Sequence, residues 1–190
     1  MRGEIVFLDT NVLYGALKRD MLLTLALTCD VDLKWSAYVL QELSHHLTAY
    51  FVERGAPDAV ARVNALTKQM NTAYPRALLA TSETVDIGTG WPDQDDEKIV
   101  VDALRAGAGL IVTDNLRDFP RALLEPLGLA ASSADEFLGH LTLRHRGKVE
   151  RRLAAWLMQR TRPKYSRSQL VARLREIGMP AFSDALTQLL

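Results

Sequence analysis

A single cysteine, Cys29, in 190 residues excludes an internal disulfide and a thiolate cage for zinc, so any metal must be held by oxygen or histidine ligands. Aromatic residues make up only 7% of the chain and do not alternate regularly with basic ones, so no stacking platform for single strands is legible. No apolar run approaches the roughly 18 residues of a membrane span. The opening MRGEIVFLD reaches an acidic residue too early for a secretory signal. A cytoplasmic chain without a membrane segment is the expectation. Net charge is also missing, with 23 basic and 23 acidic side chains, and 48% apolar residues is an ordinary globular balance. One compact domain with a short appendage fits this length.

The zero net charge hides an asymmetry. Residues 1–139 carry 12 basic and 20 acidic side chains, whereas residues 140–190 carry 11 and 3. Eight carboxylates crowd into one stretch: Asp86, Asp93, Asp95, Asp96, Glu97, Asp102, Asp114 and Asp118. An acidic focus beside a basic tail suggests a divalent cation at the first and a polyanion across the second. A solvated, arginine-rich helical surface explains the tail equally well.

Short apolar runs alternate with helical periodicity. EIVFL (4–8) reads as a buried strand ending at Asp9, with Thr10 and Asn11 capping a helix through Leu17. A short apolar helix follows over 21–28, a short strand over 33–35, a helix over 37–54 and another from Pro57 to about Leu79. A weak strand over 84–87 and a turn-rich loop over 88–94 precede a helix from about Asp95 to Ala106. LIVT (110–113) is a second fully apolar strand, and 127–130 a further one before a helix capped by Ser133. This alternation predicts βαβ units around a central parallel sheet with helices on both faces. From Arg144 onward only helical periodicity remains. The chain therefore divides into a domain over 1–143 and a basic helical extension over 144–190.

In such a sheet the ligand crevice lies beyond the carboxyl ends of the strands, which places Asp9 and the Thr113-Asp114-Asn115 segment on one rim. On the helix that follows the loop, Ile99, Val100, Ala103, Leu104 and Gly107 all fall within about 80° of Asp96. Asp96 thus heads the buried stripe, where an unpaired carboxylate costs several kcal/mol. A cap at the helix N-terminus is the other explanation for it. Asp95, Glu97 and Asp102 point away, as surface acids. Glu42 projects at the edge of the stripe formed by Val39, Leu40, Leu43 and Leu47. His45 and His46 have no second pair at metal spacing and read as surface or packing residues. Cys29 reads as a small buried hydrophobe, and Trp91 as cover for the core or a substrate contact.

Four segments in order, Phe7-Leu8-Asp9-Thr10-Asn11-Val12-Leu13, Glu42, Pro92-Asp93-Gln94-Asp95-Asp96-Glu97-Lys98-Ile99 and Ile111-Val112-Thr113-Asp114-Asn115-Leu116-Arg117-Asp118-Phe119-Pro120, resemble the PIN-domain nucleases, in particular the branch of VapC-type toxins of toxin–antitoxin modules. The resemblance implies a three-layer α/β/α sandwich and a carboxylate cluster binding magnesium or manganese. Carried over by position, the family's acids are Asp9, Glu42, Asp96 and Asp118, with Asn11, Thr113 and Asn115 as supporting polar residues; Asp114 competes with Asp118 as the fourth acid. It further implies an endoribonuclease that cuts structured RNA such as tRNA, an antitoxin partner and a homodimer. A non-catalytic RNA-binding or scaffold protein on the same fold is the alternative. A phosphatase would need a second Asp at position 11, which is Asn, and a receiver domain's paired acids and strand-end Lys are not evident.

Magnesium takes octahedral oxygen coordination and keeps several waters, so four acids suit one ion, or two with substrate. Asp9 and Asp96 are expected nearest the ion, with Glu42 and Asp118 orienting the attacking water or a second ion. Two unit charges 4 Å apart repel by about 4 kcal/mol at an effective dielectric of 20, so without metal at least one carboxylate pKa should rise. In the tail, Arg151, Arg152, Arg160 and Arg162 are the candidate RNA contacts. The apolar face Val149, Leu153, Trp156 and Leu157 must pack on the domain or on another chain.

Overall fold

A computed structural model describes residues 4–79, 91 and 93–189. Four strands, β1 (Ile5–Leu8), β2 (Asp32–Lys34), β3 (Leu110–Val112) and β4 (Ala130–Ser132), form an all-parallel sheet in the order β2-β1-β3-β4. The order reverses between neighbouring β1 and β3, which pair Leu8 with Val112, so their carboxyl ends open side by side at the switch point where such sheets bind ligands. Val6, Phe7, Leu8, Ile111 and Val112 are fully buried. Side chains on both faces of the strands are covered, as their unbroken apolar runs imply, and each contributes roughly 1.5–3 kcal/mol by burial.

Among the described residues nine helices flank this sheet: α1 (Ala16–Thr28), α2 (Ala37–Glu53), α3 (Ala59–Ala73), α4 (Gln94–Arg105), α5 (Arg121–Leu124), α6 (Ala134–Arg144), α7 (Arg146–Gln159), α8 (Arg167–Glu176) and α9 (Pro180–Thr187). The architecture is a three-layer α/β/α sandwich with a helical C-terminal region. Ser133 caps α6 as expected, accepting from Glu136 N at 3.1 Å, and Ser36, not singled out from the sequence, caps α2 through Val39 N.

Several boundaries differ from expectation, each for a local reason. Instead of a helix through Leu17, a 3-10 turn covers Thr10–Leu13 with Asp9 as its cap. Gly15, extended at the next helix start, lets α1 run unbroken from Ala16 through the segment expected to begin only at Met21. Helix α3 ends at Ala73 rather than Leu79, because Pro75 disfavours helical conformation at Tyr74, which leaves at φ −128° and ψ 69°. The chain beyond it forms a parallel bridge from Leu78 to Trp35. The last strand begins at Ala130 rather than Leu127, because the preceding turn closes through Gly128 at φ 70°. The expected strand over 84–87, most of the loop over 88–94, and Asp86 and Pro92 lie outside the described residues.

The tail's apolar face packs on the domain. Val149, Leu153 and Trp156 are buried in the same core as the strands, with Leu157 packed against it. Two ion pairs at 2.6 Å hold α7 beside α1: Lys148 in its first turn pairs with Asp30, just beyond α1, and Arg160, just beyond α7, pairs with Asp20 within α1. Helix α9 docks on α6 through a backbone contact: a Cβ on Gly139 would lie 3.4 Å from the Ala181 carbonyl. One turn earlier, Asp135 accepts from Ala181 N and Phe182 N at 3.0 and 2.7 Å, serving the free N–H groups at the start of α9.

Candidate metal centre

The backbone ladder carries Asp9 to the rim, where its N–H donates to the Val112 carbonyl at 3.1 Å. Its side chain, only 8% exposed, is fully engaged. Oδ1 accepts from Thr10 N at 2.6 Å, and Oδ2 accepts from Asn11 Nδ2 at 2.6 Å and from Thr113 Oγ1 at 2.7 Å. Thr113, fully buried just beyond β3, also accepts from Asn11 Nδ2 at 2.9 Å and from Asn115 N at 3.1 Å. Asn11 Oδ1 accepts from Asp114 N at 2.9 Å, which fixes the orientation of its amide. Residues 9–11 and 113–115 are thereby locked into one polar seam across the switch point.

The other acids surround this seam. Glu42, half-buried on α2, accepts from Thr10 Oγ1 at 3.0 Å. Asp96 is half-buried in the first turn of α4, above Ile99, Val100 and Ala103, which are buried. The capping role belongs to Asp93, which accepts from Asp95 N at 2.9 Å, so the N-cap does not account for Asp96. Asp118 sits in a 3-10 turn (Leu116–Asp118) and accepts from Asn115 Nδ2. Asp114 is exposed, ion-paired to Lys18, and accepts from Ala134 N at 3.2 Å at the start of α6.

These neighbours shift protonation. The carboxyl of Asp96 is pushed up to about 6, first by burial and then by the charges of Asp118, Asp9, Asp93 and Asp95. Burial also raises Asp9, helped by Glu42 and Asp114 and opposed by the hydrogen bonds from Thr113 and Thr10. Burial raises the Tyr14 hydroxyl to about 12, with Glu42 and Asp9 adding to it. One field therefore links Asp9, Glu42, Asp96 and Asp118. Among the described residues no three acid, imidazole or thiol groups converge at metal-holding distance. An all-oxygen set with two raised carboxyls suits a hard cation that takes one or two direct carboxylates and keeps its waters.

Asp118 is the leading charge neighbour of Asp96, while Asp114 acts on Asp9. Asp118→Asn should therefore lower the Asp96 carboxyl from about 6 towards its ordinary 3.8, and Asp114→Asn should leave it in place. Carboxyl carbon NMR across a pH titration reads this directly; the reverse pattern would make Asp114 the fourth member of the group.

The tail arginines are not equivalent. Arg160 is committed to Asp20 and lies 4.6 Å over the Trp156 ring. Arg152 is half-buried, with its charge acting on Tyr74. Arg151 and Arg162 are exposed. Tyr14, Lys18, Tyr38 and Lys98 join the rim without having been singled out as site residues from the sequence, and Thr10, read there as a helix cap, bonds Glu42 instead. Only Lys98 had a local signal, its i,i+3 spacing from Asp95, which it meets at 2.8 Å. Trp91 packs against the core. No helix of the described residues is long and apolar enough to cross a membrane.

A family model described as PIN domain matches residues 5–117, which contain three of the four rim acids and end one residue before Asp118. No significant match was found among curated proteins or among solved structures.

Proposed function

The chain belongs to the PIN-domain family, whose members are generally nucleases using divalent metals, and on that premise we propose that it is a magnesium- or manganese-dependent endoribonuclease. The observation that carries this reading is the gathering of acids at the sheet's switch point: Asp9 in the hydrogen-bonded seam, Glu42 bonded to Thr10, Asp118 bonded to Asn115, and Asp96 half-buried at the start of α4, where burial first, and then the charges of Asp118 and Asp9, raise its carboxyl. Acids kept together at a cost in the free protein are acids prepared for a cation.

Asp9 and Asp96 would hold the ion, with Glu42 and Asp118 beside them. When bound, a divalent ion supplies Lewis-acid charge stabilisation and a nucleophilic water at neutral pH. Thr113 and Asn11 hold the Asp9 carboxylate in one orientation, Thr10 does the same for Glu42, and Asn115 for Asp118. Water oxygen bonds to phosphorus in line with the departing 3′-oxygen, and the P–O3′ bond breaks. The products are a 5′-phosphate and a 3′-hydroxyl, with no part for the 2′-hydroxyl. Glu42 or Asp118 accepts the proton the water gives up, and the departing 3′-oxygen takes a proton from solvent.

Within this reading the protein is the cytoplasmic toxin of a toxin–antitoxin pair. Structured RNA such as tRNA is its substrate, an antitoxin covers the acid rim, and the active form is a homodimer. Arg151 and Arg162, exposed on the basic tail, contribute phosphate contacts whose loss would flatten the salt dependence of binding. Incubating purified protein with an end-labelled tRNA pool in magnesium, in manganese and in EDTA tests the proposal. Cleavage in both metals, none in EDTA, and 5′-phosphate ends are expected. Binding without cleavage under every condition would leave an RNA-binding or scaffold protein in its place.

A further inference from the structure

The first turn of α1 breaks a local rule. A helix N-terminus favours acids, yet this turn carries none and sets two cations side by side, Lys18 and Arg19. A local preference overridden in this way points to partners elsewhere in the fold. Those partners are the two loops that carry the metal centre. The Arg19 side chain is buried, and its guanidinium donates to the Leu13 carbonyl and, at 3.4 Å, to that of Tyr14, at the far end of the 3-10 turn that Asp9 caps. Lys18 reaches the other loop, where it pairs with Asp114. Asp114 passes the contact on. Its Oδ1 accepts from Ala134 N at 3.2 Å, its N–H donates to Asn11 Oδ1 at 2.9 Å, and Asn11 in turn donates to Asp9 at 2.6 Å. The next residue, Asp20, takes Arg160 from the end of α7, so the turn itself is anchored to the tail.

Adjacent residues of one helix keep a fixed separation, so the groups they grip keep one too. The two side chains also suit their tasks: a planar guanidinium forks to two carbonyls, and a compact ammonium meets a carboxylate. We propose that Lys18 and Arg19 are positioning residues, a brace in which Arg19 closes the 9–13 turn and Lys18 holds the 113–115 segment, so that the Asp9 carboxylate stands fixed against the other acids of the rim. The proposal rests on the nuclease reading and adds to it two cations that act through the acids and not on the substrate. Lys18 already has its carboxylate, and its side chain is only 18% exposed, which favours bracing over a contact to phosphate. A misplacement of about 1 Å at a reacting group can lower a rate about 100-fold, so a brace of this kind matters more to turnover than to stability.

Lys18→Met and Arg19→Met in the full chain test it through two readouts. The first needs no activity. In EDTA, amide hydrogen exchange followed by NMR should be about tenfold faster at Asp114 N–H and Thr10 N–H, both of which are bonded into the seam. The second is RNA cleavage in magnesium, where kcat should fall about tenfold or more while KM stays within about twofold. Lys18→Arg, still able to pair with Asp114, should restore both, and Lys18→Met combined with Asp114→Asn should lose no more than the worse single variant. The Lys18 pair is partly exposed, so the melting point of Lys18→Met should stay within about 4 °C of the wild type. If Arg19→Met does not fold, Arg19→Lys, which keeps a donor and loses the fork, carries the same prediction at smaller size. The brace is overturned if exchange in the seam is unchanged, if exchange quickens while kcat holds, or if KM rises and its salt dependence flattens, which would make Lys18 a phosphate contact. Native exchange and native kcat in the variants of a chain that cleaves RNA remove the brace alone. Exchange that quickens, and is restored by Lys18→Arg, in a chain that never cleaves removes the nuclease reading alone.

Discussion

Asp96→Asn is expected to reduce RNA cleavage about a thousandfold or more and, in the same protein, to raise the melting temperature measured in EDTA. The loss of activity follows from the role proposed for the group: several kcal/mol of transition-state stabilisation depend on the ion it helps to hold, at 1.36 kcal/mol per tenfold. The gain in stability follows from its surroundings. Burial and four neighbouring carboxylates all penalise the charged form, and the amide removes that charge at nearly constant shape. The attraction of a first-turn acid to the N-terminus of α4 survives in Asp95 and Glu97.

The sign of the pH dependence follows from the direction of the shift. The folded-state value of Asp96, about 6, lies above the ordinary 3.8, so the native state binds the proton more tightly than the unfolded chain does. The stability linked to that proton is fully present below about pH 4 and is lost as pH rises through about 6. Wild type and Asp96→Asn should therefore melt together near pH 4 and diverge until about pH 7. Solvent still reaches this group and screens it, so the difference is on the order of 1 kcal/mol, or roughly 2–4 °C in a chain of this size. Magnesium should raise the melting point of the wild type and do so much less for the variant. If Asp96→Asn melts at or below the wild type in EDTA at pH 7, the acids are not in mutual repulsion and the metal-centre reading fails.

Asp9→Ala should also abolish cleavage, but with the opposite effect on stability. Here the carboxylate is the acceptor for Thr10 N, Asn11 Nδ2 and Thr113 Oγ1, and truncation leaves those donors without it inside a buried seam. Each orphaned buried donor costs ~1–3 kcal/mol. Loss of the cap on the 3-10 turn adds to this, and relief of the burial that raises the Asp9 carboxyl offsets part of it. A net loss of about 2 kcal/mol, or roughly 4–8 °C, is expected at pH 7 in EDTA. Differential scanning calorimetry of both variants side by side makes the comparison, and a higher melting point for Asp9→Ala would mean that repulsion, not the hydrogen-bonded seam, dominates at this position.

The contrast between the two aspartates shows what was readable in advance. The strands around Phe7 and Ile111 are visible because burial on both faces demands unbroken apolar runs, and each run ends where polarity begins, at Asp9 and at Thr113. The inward direction of Asp96 is visible because α4 has a clear apolar stripe and 3.6-residue periodicity places the acid on it. The boundaries that moved did so at Gly15, Pro75 and Gly128, where one residue's backbone preference outweighed the hydrophobic pattern on either side. The choice between Asp114 and Asp118 was closed to sequence reasoning, since both follow β3 within a few residues. Lys18, from the first turn of α1, neutralises one of them, and that pairing crosses 96 positions of chain.

The sequence by itself determined the order of strands and helices, the rim on which Asp9 and Thr113 meet, and the face of α4 that Asp96 occupies. These follow from local periodicity and from the rule that parallel sheets open at their carboxyl ends. Tertiary structure alone decided which charges stand unneutralised, that Arg160 is spent on Asp20, that the tail packs into the domain's own core, and that Lys98 meets Tyr38 and Tyr14 meets His46. Electrostatic and stacking partners are set by distance in space, and a chain carries that information only once it has closed on itself.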